Sequence, residues 1–156
     1  MCNFCPKSLV CIDKAISLHS FKLNVQKILR YSIMEKSFIS FVENSIKKNW
    51  DLDALTDYKG ATLQYKDVAR KIEKLHIIFE NSGVVKGDKI AICGRNSSHW
   101  GVTFLATLTY GAIVVPILHE FNAEQIHNIV NHSEARLPLV GAHVATIIDP
   151  TQMPRL

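Results

Sequence analysis

From residue 34 onward the hydrophobic positions recur first at helical spacing, then in short runs, and then at helical spacing again. Two amphipathic helices are predicted, over residues 34–50 and 65–83, because each carries one apolar stripe beside charged positions. The stripes are Phe38, Phe41, Val42 and Ile46 in the first helix and Val68, Ile72, Leu75 and Phe79 in the second. Gly83 stands where a left-handed cap would end the second helix.

Shorter apolar runs bounded by turn residues predict strands. Two such runs within residues 53–65 are separated by Asp57–Gly60, which predicts a hairpin. In that turn, Gly60 is expected to supply a backbone angle that a side chain would resist.

Three further strands are predicted over residues 89–93, 112–118 and 135–141. Pro116 is expected at a strand end, an edge or a bulge, because proline cannot donate to a ladder. Pro138 is expected to interrupt the last strand for the same reason. Helices over about 99–110 and 122–133 separate these strands, so strands and helices alternate.

The run from Asn96 to His119 contains no Asp, Glu, Lys or Arg. A membrane span needs about 20 apolar residues in one helix, and Trp100–Leu118 has that length. Gly111 and Pro116, however, stand where a helix would stop and a strand would end, and three threonines make the run less apolar. A helix followed by a strand, both buried in an α/β core, is therefore favoured over a membrane span.

Net charge is +4 over 156 residues, and its distribution is uneven. Residues 1–33 hold five basic residues and one acidic residue, whereas residues 34–156 hold 13 of each. The main body therefore lacks the excess from which a basic, nucleic-acid-binding face is built. Residues 1–33 are interpreted as an extension upstream of a domain that begins at Met34; a transit-like or membrane-surface helix is the alternative.

The cysteines do not predict a metal site or a disulfide framework. Cys2, Cys5 and Cys11 lie close together, but only His19 is near enough in sequence to complete a ligand set. Cys93 stands alone in an apolar strand and is predicted to be a small core residue. This usage is typical of a reducing compartment.

Histidines and aspartates offer weaker candidates for metal or acid–base chemistry. His127 and His132 are five residues apart, which does not place them on one helix face, so surface or capping roles are favoured. The other candidates are the pair His119–Glu120, His143, and the aspartates Asp51, Asp53 and Asp57, which lack the glycine and glutamate of a calcium loop.

The stretch "ICGRNSSHW" reads as a strand, a glycine turn and a helix start. A helix N-terminus can hold an anion, and Arg95 would assist. A capped turn whose polar atoms satisfy the backbone is the favoured interpretation, because the stretch lacks the spacing of a phosphate loop.

Two segments in order resemble the first two core motifs of the adenylate-forming (AMP-binding) superfamily. These are "LQYKDVARKIEKLHIIFENSGVVKGDKIAI" and "FLATLTYGAIVVPIL"; "FNAEQIHNIVNHSEARL" is similar to the helix and strand that follow in the family. The resemblance covers residues 34–141 and is strongest to long-chain fatty-acid CoA ligases. It departs at Gln64, where the family usually has Thr or Ser, and at Tyr110.

The resemblance implies an α/β fold: the N-terminal part of a large adenylation domain with alternating helices and mainly parallel strands. It also implies acyl-CoA synthetase chemistry, in which a fatty acid, ATP with Mg²⁺, and CoA are the substrates and cofactors. The Ser/Thr/Gly-rich phosphate loop and the lysine of the family's mobile domain have no counterpart in these 156 residues. No catalytic, cofactor-binding or metal residue is therefore assigned, and these ligands are not expected to bind this chain well.

The chain is accordingly divided into an extension (1–33), the start of an adenylation domain (34–141) and a truncated tail (142–156). A self-standing α/β binding or interaction module and a small membrane protein are the alternatives. A cytoplasmic location is expected, with peripheral membrane association as an option. An open sheet edge at Gly141 would favour self-association.

Overall fold

The computed structural model of the chain describes residues 10–11 and 38–153. The strands are β1 (Val10–Cys11), β2 (Asp53–Thr56), β3 (Thr62–Gln64), β4 (Lys89–Cys93), β5 (Ile113–Ile117) and β6 (Leu137–Val140). The helices are α1 (Phe38–Lys48), α2 (Tyr65–Asn81), α3 (Ser98–Tyr110), α4 (Ala123–Ser133) and the short α5 (Ala142–Ala145), followed by a 3₁₀ turn at Pro150–Gln152.

Four strands form one parallel sheet in the order β1-β6-β4-β5, and β2 and β3 form a separate antiparallel hairpin. Strand β4 is central, with Ile90 opposite Val114 on β5 and opposite Leu137 on β6. Each parallel connection after β4 runs through a helix, first α3 and then α4. The predicted α/β class with mainly parallel strands is confirmed.

The sheet is buried on both faces. On one face Ile90 and Ile92 pack with α2 and α3, and on the other Ala91 and Cys93 pack with α4 and the residues that follow β6. All four side chains are at most 1% exposed. Burial on both faces explains why β4 is a continuous apolar run without alternating polar positions.

The uncharged run folds as a helix and a strand, as predicted. Helix α3 ends at Gly111, which adopts the left-handed conformation with φ 85°, and β5 begins two residues later. The alternative of one membrane helix over Trp100–Leu118 is therefore wrong. Within residues 38–153, no helix is both long enough and apolar enough to cross a membrane.

The threonines of α3 are compatible with burial because their hydroxyls bond within the helix. Thr103 donates to the carbonyl of His99 at 2.8 Å, and Thr107 donates to that of Thr103 at 2.9 Å. Both side chains are fully buried. A buried hydroxyl with a partner avoids the cost of desolvating an unpaired polar group.

The hairpin turn forms where predicted, but the role expected of Gly60 was wrong. Lys59, with φ 53°, adopts the left-handed conformation, and Gly60 is not among the residues with positive φ. A Cβ on Gly60 would lie 2.9 Å from the Cβ of Asp57. Glycine is therefore favoured at position 60 because a side chain there would collide with the side chain of Asp57.

Helix α1 is amphipathic, but its buried face differs from the predicted stripe. Phe38 is 57% exposed and Phe41 is 61% exposed, whereas Ile39, Val42 and Ile46 are half-buried. Val42 and Ile46 therefore face inward as predicted, whereas Phe38 and Phe41 do not, and Ile39 takes the inward position near the start of the helix.

Residues after β6 continue the packed body. Val144, Ile148 and Met153 are buried against α4, and the side-chain amide of Asn131 donates to the carbonyl of Gln152 at 2.8 Å. Residues 142–153 thus contribute to the second core face, although the sequence offered no recognisable unit there. Strand β1 comes from the extension, pairs with β6 and forms one edge of the sheet. The rest of the extension lies outside the described residues.

Candidate functional site

A groove of about 310 Å³ opens at the carboxyl ends of the parallel strands. We call it the carboxyl-edge groove. Its lining comes from the loop after β4, the first turn of α3, His119 after β5, and the start of α5 with the glycine before it. In open α/β sheets, ligands bind outside the carboxyl ends of the strands. The groove is therefore the candidate functional site.

Two glycines form its floor. A Cβ on Gly94 would lie 3.5 Å from the backbone nitrogen of Gly141, and a Cβ on Gly141 would lie 3.5 Å from the Cα of Gly94. The Gly141 N–H donates to the carbonyl of Cys93 at 2.9 Å, which holds the two loops together. Because neither residue carries a side chain, the loops after β4 and β6 approach each other closely at the floor of the groove.

The walls are aromatic and basic. His99 and Trp100 come from α3, His119 follows β5, and His143 lies on α5. Trp100 stacks on Phe104 with 5.4 Å between ring centroids, which fixes one wall. Together with the exposed Arg95, this surface can stack on a planar group and neutralise an anion.

The N-terminus of α3, predicted as a capped turn, is occupied by side chains. The Ser97 hydroxyl oxygen accepts from the Trp100 N–H at 3.2 Å. The Asp57 carboxylate accepts from the Ser98 N–H at 2.6 Å and from the Ser98 hydroxyl at 2.8 Å. These hydrogen bonds lower the pKa of Asp57. The helix end therefore does not fit a phosphate group, and no step involving ATP is assigned to it.

Cys93, directly below the groove floor, is a core residue as predicted. It is 1% exposed, and burial raises its pKa to about 11. Its thiol faces the carbonyl of Leu118 at 3.7 Å. Because the thiol stays protonated at neutral pH, it is not a nucleophile.

The structure separates the histidines that the sequence singled out. His119 and His143 line the groove, whereas His127 Nε2 accepts from the Asp149 N–H at 2.9 Å and His132 is exposed near the end of α4. Glu120 is also exposed. Across the described ranges, no three His, Cys, Asp or Glu side chains come close enough to hold a metal ion.

The three aspartates singled out in the sequence also lie in different environments and do not form a common site. Asp51 pairs with Lys66 at 3.0 Å, Asp53 begins β2 with its side chain exposed, and Asp57 caps α3. The cap went unpredicted because Asp57 and Ser98 are 41 residues apart in sequence.

His99 and Trp100 were also not predicted as groove residues, although a glycine directly after a buried strand was a usable signal.

Comparison with known proteins places the chain in a family. The family model for the AMP-binding enzyme matches residues 42–155. Long chain acyl-CoA synthetase 3 of Arabidopsis thaliana is 36% identical over 73 residues, which are 47% of this chain and 11% of that protein. Nonribosomal peptide synthetase NPS2 of Ceriporiopsis subvermispora is 38% identical over 64 residues, 41% of this chain and 3% of that protein. The chain thus spans a small part of each relative.

Among solved structures, the anthranilate CoA ligase AuaEII, in complex with anthranoyl-AMP, superposes with a TM-score of 0.70 at 18% identity. The superposition covers 75% of this chain and 23% of that one, and at this identity it shows the fold alone. The family match over residues 42–155 shows that the chain belongs to the AMP-binding, adenylate-forming enzymes, of which it represents an N-terminal portion.

Proposed function

We propose that this chain is the N-terminal portion of an acyl-CoA synthetase that activates a fatty acid. In that reaction the fatty acid carboxylate attacks the α-phosphate of ATP, pyrophosphate leaves, and the CoA thiol then displaces AMP from the acyl-adenylate. Mg²⁺ helps to neutralise the phosphates. The observation that carries the proposal is the family match over residues 42–155, in a fold whose parallel sheet ends in a groove.

Support for the fatty-acid class comes from the 36% identity to a long chain acyl-CoA synthetase. Within the groove, the basic and aromatic walls suit the anionic groups that every substrate of this reaction carries. Arg95 is exposed at the groove and has the charge for such a contact. We propose that the groove faces one of these anionic groups in the complete enzyme.

The chain alone is proposed to be inactive. Its sequence has no Ser/Thr/Gly-rich phosphate loop, and two N-terminal amides of α3, those of Ser98 and Trp100, are already bonded to Asp57 and Ser97. Pyrophosphate exchange with palmitate and ATP is expected to stay at the level of a protein-free control. Clear exchange by the purified chain would contradict this.

A chimera tests the assignment directly. Residues 42–153 would replace the matching segment of the Arabidopsis long chain acyl-CoA synthetase 3, and palmitoyl-CoA formation would be measured. We expect activity to be retained, and we expect Arg95→Gln within the chimera to lower it. Lys48→Gln, a matched charge removal on the exposed side of α1, should leave it unchanged. A folded chimera that is inactive with all fatty acids tested argues against the proposal.

A further inference from the structure

The hairpin of β2 and β3 is attached to the groove through one carboxylate. Asp57, in the hairpin turn, bonds both the backbone N–H and the hydroxyl of Ser98, and the Ser98 side chain is buried. The next two residues of α3, His99 and Trp100, line the groove. The hairpin thus holds α3 at Ser98, the residue directly before His99 and Trp100.

A second contact strengthens the attachment. A Cβ on Gly101 would lie 3.6 Å from the Cδ1 of Leu55, so the strand β2 packs closely against the first turn of α3. On the hairpin side, Asp57 is held in turn, because its N–H donates to the carbonyl of Ala61 at 3.1 Å and its carbonyl accepts from the Gly60 N–H at 2.9 Å. The hairpin turn therefore holds the backbone of Asp57, while Ser98 holds its carboxylate.

We propose that Asp57 is a positioning residue that sets the orientation of the Trp100 wall of the carboxyl-edge groove. A carboxylate that accepts two hydrogen bonds at a helix N-terminus is favoured both by the bonds and by the helix dipole. Without it, the Ser98 N–H and hydroxyl lose their partner in a largely buried position, and the first turn of α3 loosens. The functional meaning of this coupling rests on the groove being the site used in the proposed function.

Fluorescence of Trp100 tests the coupling without requiring any enzyme activity. In a Trp50→Phe background Trp100 is the sole tryptophan. We expect Asp57→Ala to shift its emission to longer wavelength and to raise its acrylamide quenching constant. Asp57→Asn keeps one acceptor oxygen for the Ser98 N–H and should restore most of the parent spectrum. Asp53→Ala, in the same hairpin with an exposed side chain, should match the parent.

Far-UV circular dichroism establishes that each variant is folded. A folded Asp57→Ala variant with the emission and quenching of Asp53→Ala would overturn the proposal. If Asp57→Ala does not fold, Ser98→Ala decides, since it removes only the hydroxyl bond: a smaller shift in the same direction supports the proposal, and an unchanged spectrum overturns it. Because this readout is independent of turnover, an inactive chimera with a positive fluorescence result would reject the proposed function and leave the coupling standing.

Discussion

His76 joins α2 to α3 through a single ring nitrogen. Its Nε2 lies 3.0 Å from the carbonyl oxygen of Ala106 and 3.0 Å from the hydroxyl of Thr109. A carbonyl can only accept, and the Thr109 hydroxyl donates its proton to the carbonyl of Leu105 at 2.8 Å. Nε2 therefore carries the proton and donates. The ring also meets Tyr110 edge-on, at 5.3 Å between centroids.

The stability of the fold should depend on pH through this histidine. Burial lowers the pKa of His76 more than the Ala106 hydrogen bond and the nearby Glu80 raise it. The unfolded chain thus binds a proton more readily, so this contribution to stability is complete above about pH 6.5, falls as the pH drops below that value, and levels off below the folded-state pKa.

Urea unfolding of the parent and His76→Gln between pH 7.5 and 4.5 measures the effect. The parent should lose more unfolding free energy over this range than the variant, since the remaining histidines are common to both. Equal losses in the two proteins would show that His76 does not contribute.

Single-residue roles were only partly predictable from sequence. Turn chemistry predicted that Asp57–Gly60 forms a turn, but periodicity carries no information on contacts between distant segments. The Asp57 cap on Ser98 and the His76 bond to Ala106 each join residues at least 30 positions apart. For that reason the sequence assigned Gly60 a backbone role, whereas the structure shows that it makes space for Asp57.

At the level of helices, a stripe predicts the core only when the helix has neighbours along its whole face. All four stripe residues of α2 are at most 3% exposed, because α2 packs against both α3 and the sheet. Helix α1 has no fully buried residue. Its outermost apolar positions, Phe38 and Phe41, therefore stay largely exposed. Hydrophobic spacing alone cannot distinguish these two situations.

Alanine substitutions in α2 and α1 test this assignment. Leu75→Ala should lower the unfolding free energy by about 2–5 kcal/mol, because a fully buried leucine leaves a cavity. Ile77→Ala, on the same helix but with the side chain 51% exposed, and Phe41→Ala should each change it by about 0.5 kcal/mol or less. If Phe41→Ala lowered the unfolding free energy as much as Leu75→Ala, Phe41 would have to be a core residue, as the sequence predicted.

At the scale of the whole molecule, Pro116 reduces the number of hydrogen-bond donors that β5 presents at the outer edge of the sheet. The Ile113 N–H donates to the carbonyl of Asp88 at 2.8 Å. By strand alternation, the backbone groups of Val115 and Ile117 also face β4, and those of Val114 and Pro116 face away. Pro116 therefore removes no hydrogen bond between β4 and β5, and it removes one N–H donor from the outer side of β5. This agrees with the predicted edge position. It also disfavours pairing of another strand with this edge.

Restoring that donor should promote self-association. Pro116→Val adds an outward N–H and an apolar side chain, so earlier, concentration-dependent elution in size-exclusion chromatography is expected. Pro116→Lys adds the same N–H with a charge that opposes edge pairing, and it should elute like the parent. Identical elution of all three proteins would show that this edge does not control association.

From residue 38 to residue 140, the order of elements and the class of fold were predictable because each element carries its own signal: a stripe, an apolar run, or a capping residue. Ser97 and Asn122 cap helices where cap residues were expected, and Gly111 ends α3. Residues 142–153 were not predictable, since they depend on packing against α4. Pro138 was expected to interrupt a strand, yet it pairs with Ala91 within a fully buried β6.

The central claim is that the uncharged run folds back from helix α3 into a strand beside β4. Solution NMR of the isotopically labelled chain tests it most directly. The account predicts interstrand contacts in the register Ile90–Val114 and Ile92–Pro116, with helical contacts that stop at Gly111. Helical contacts that continue unbroken from Trp100 to Leu118, with none between β4 and β5, would contradict it.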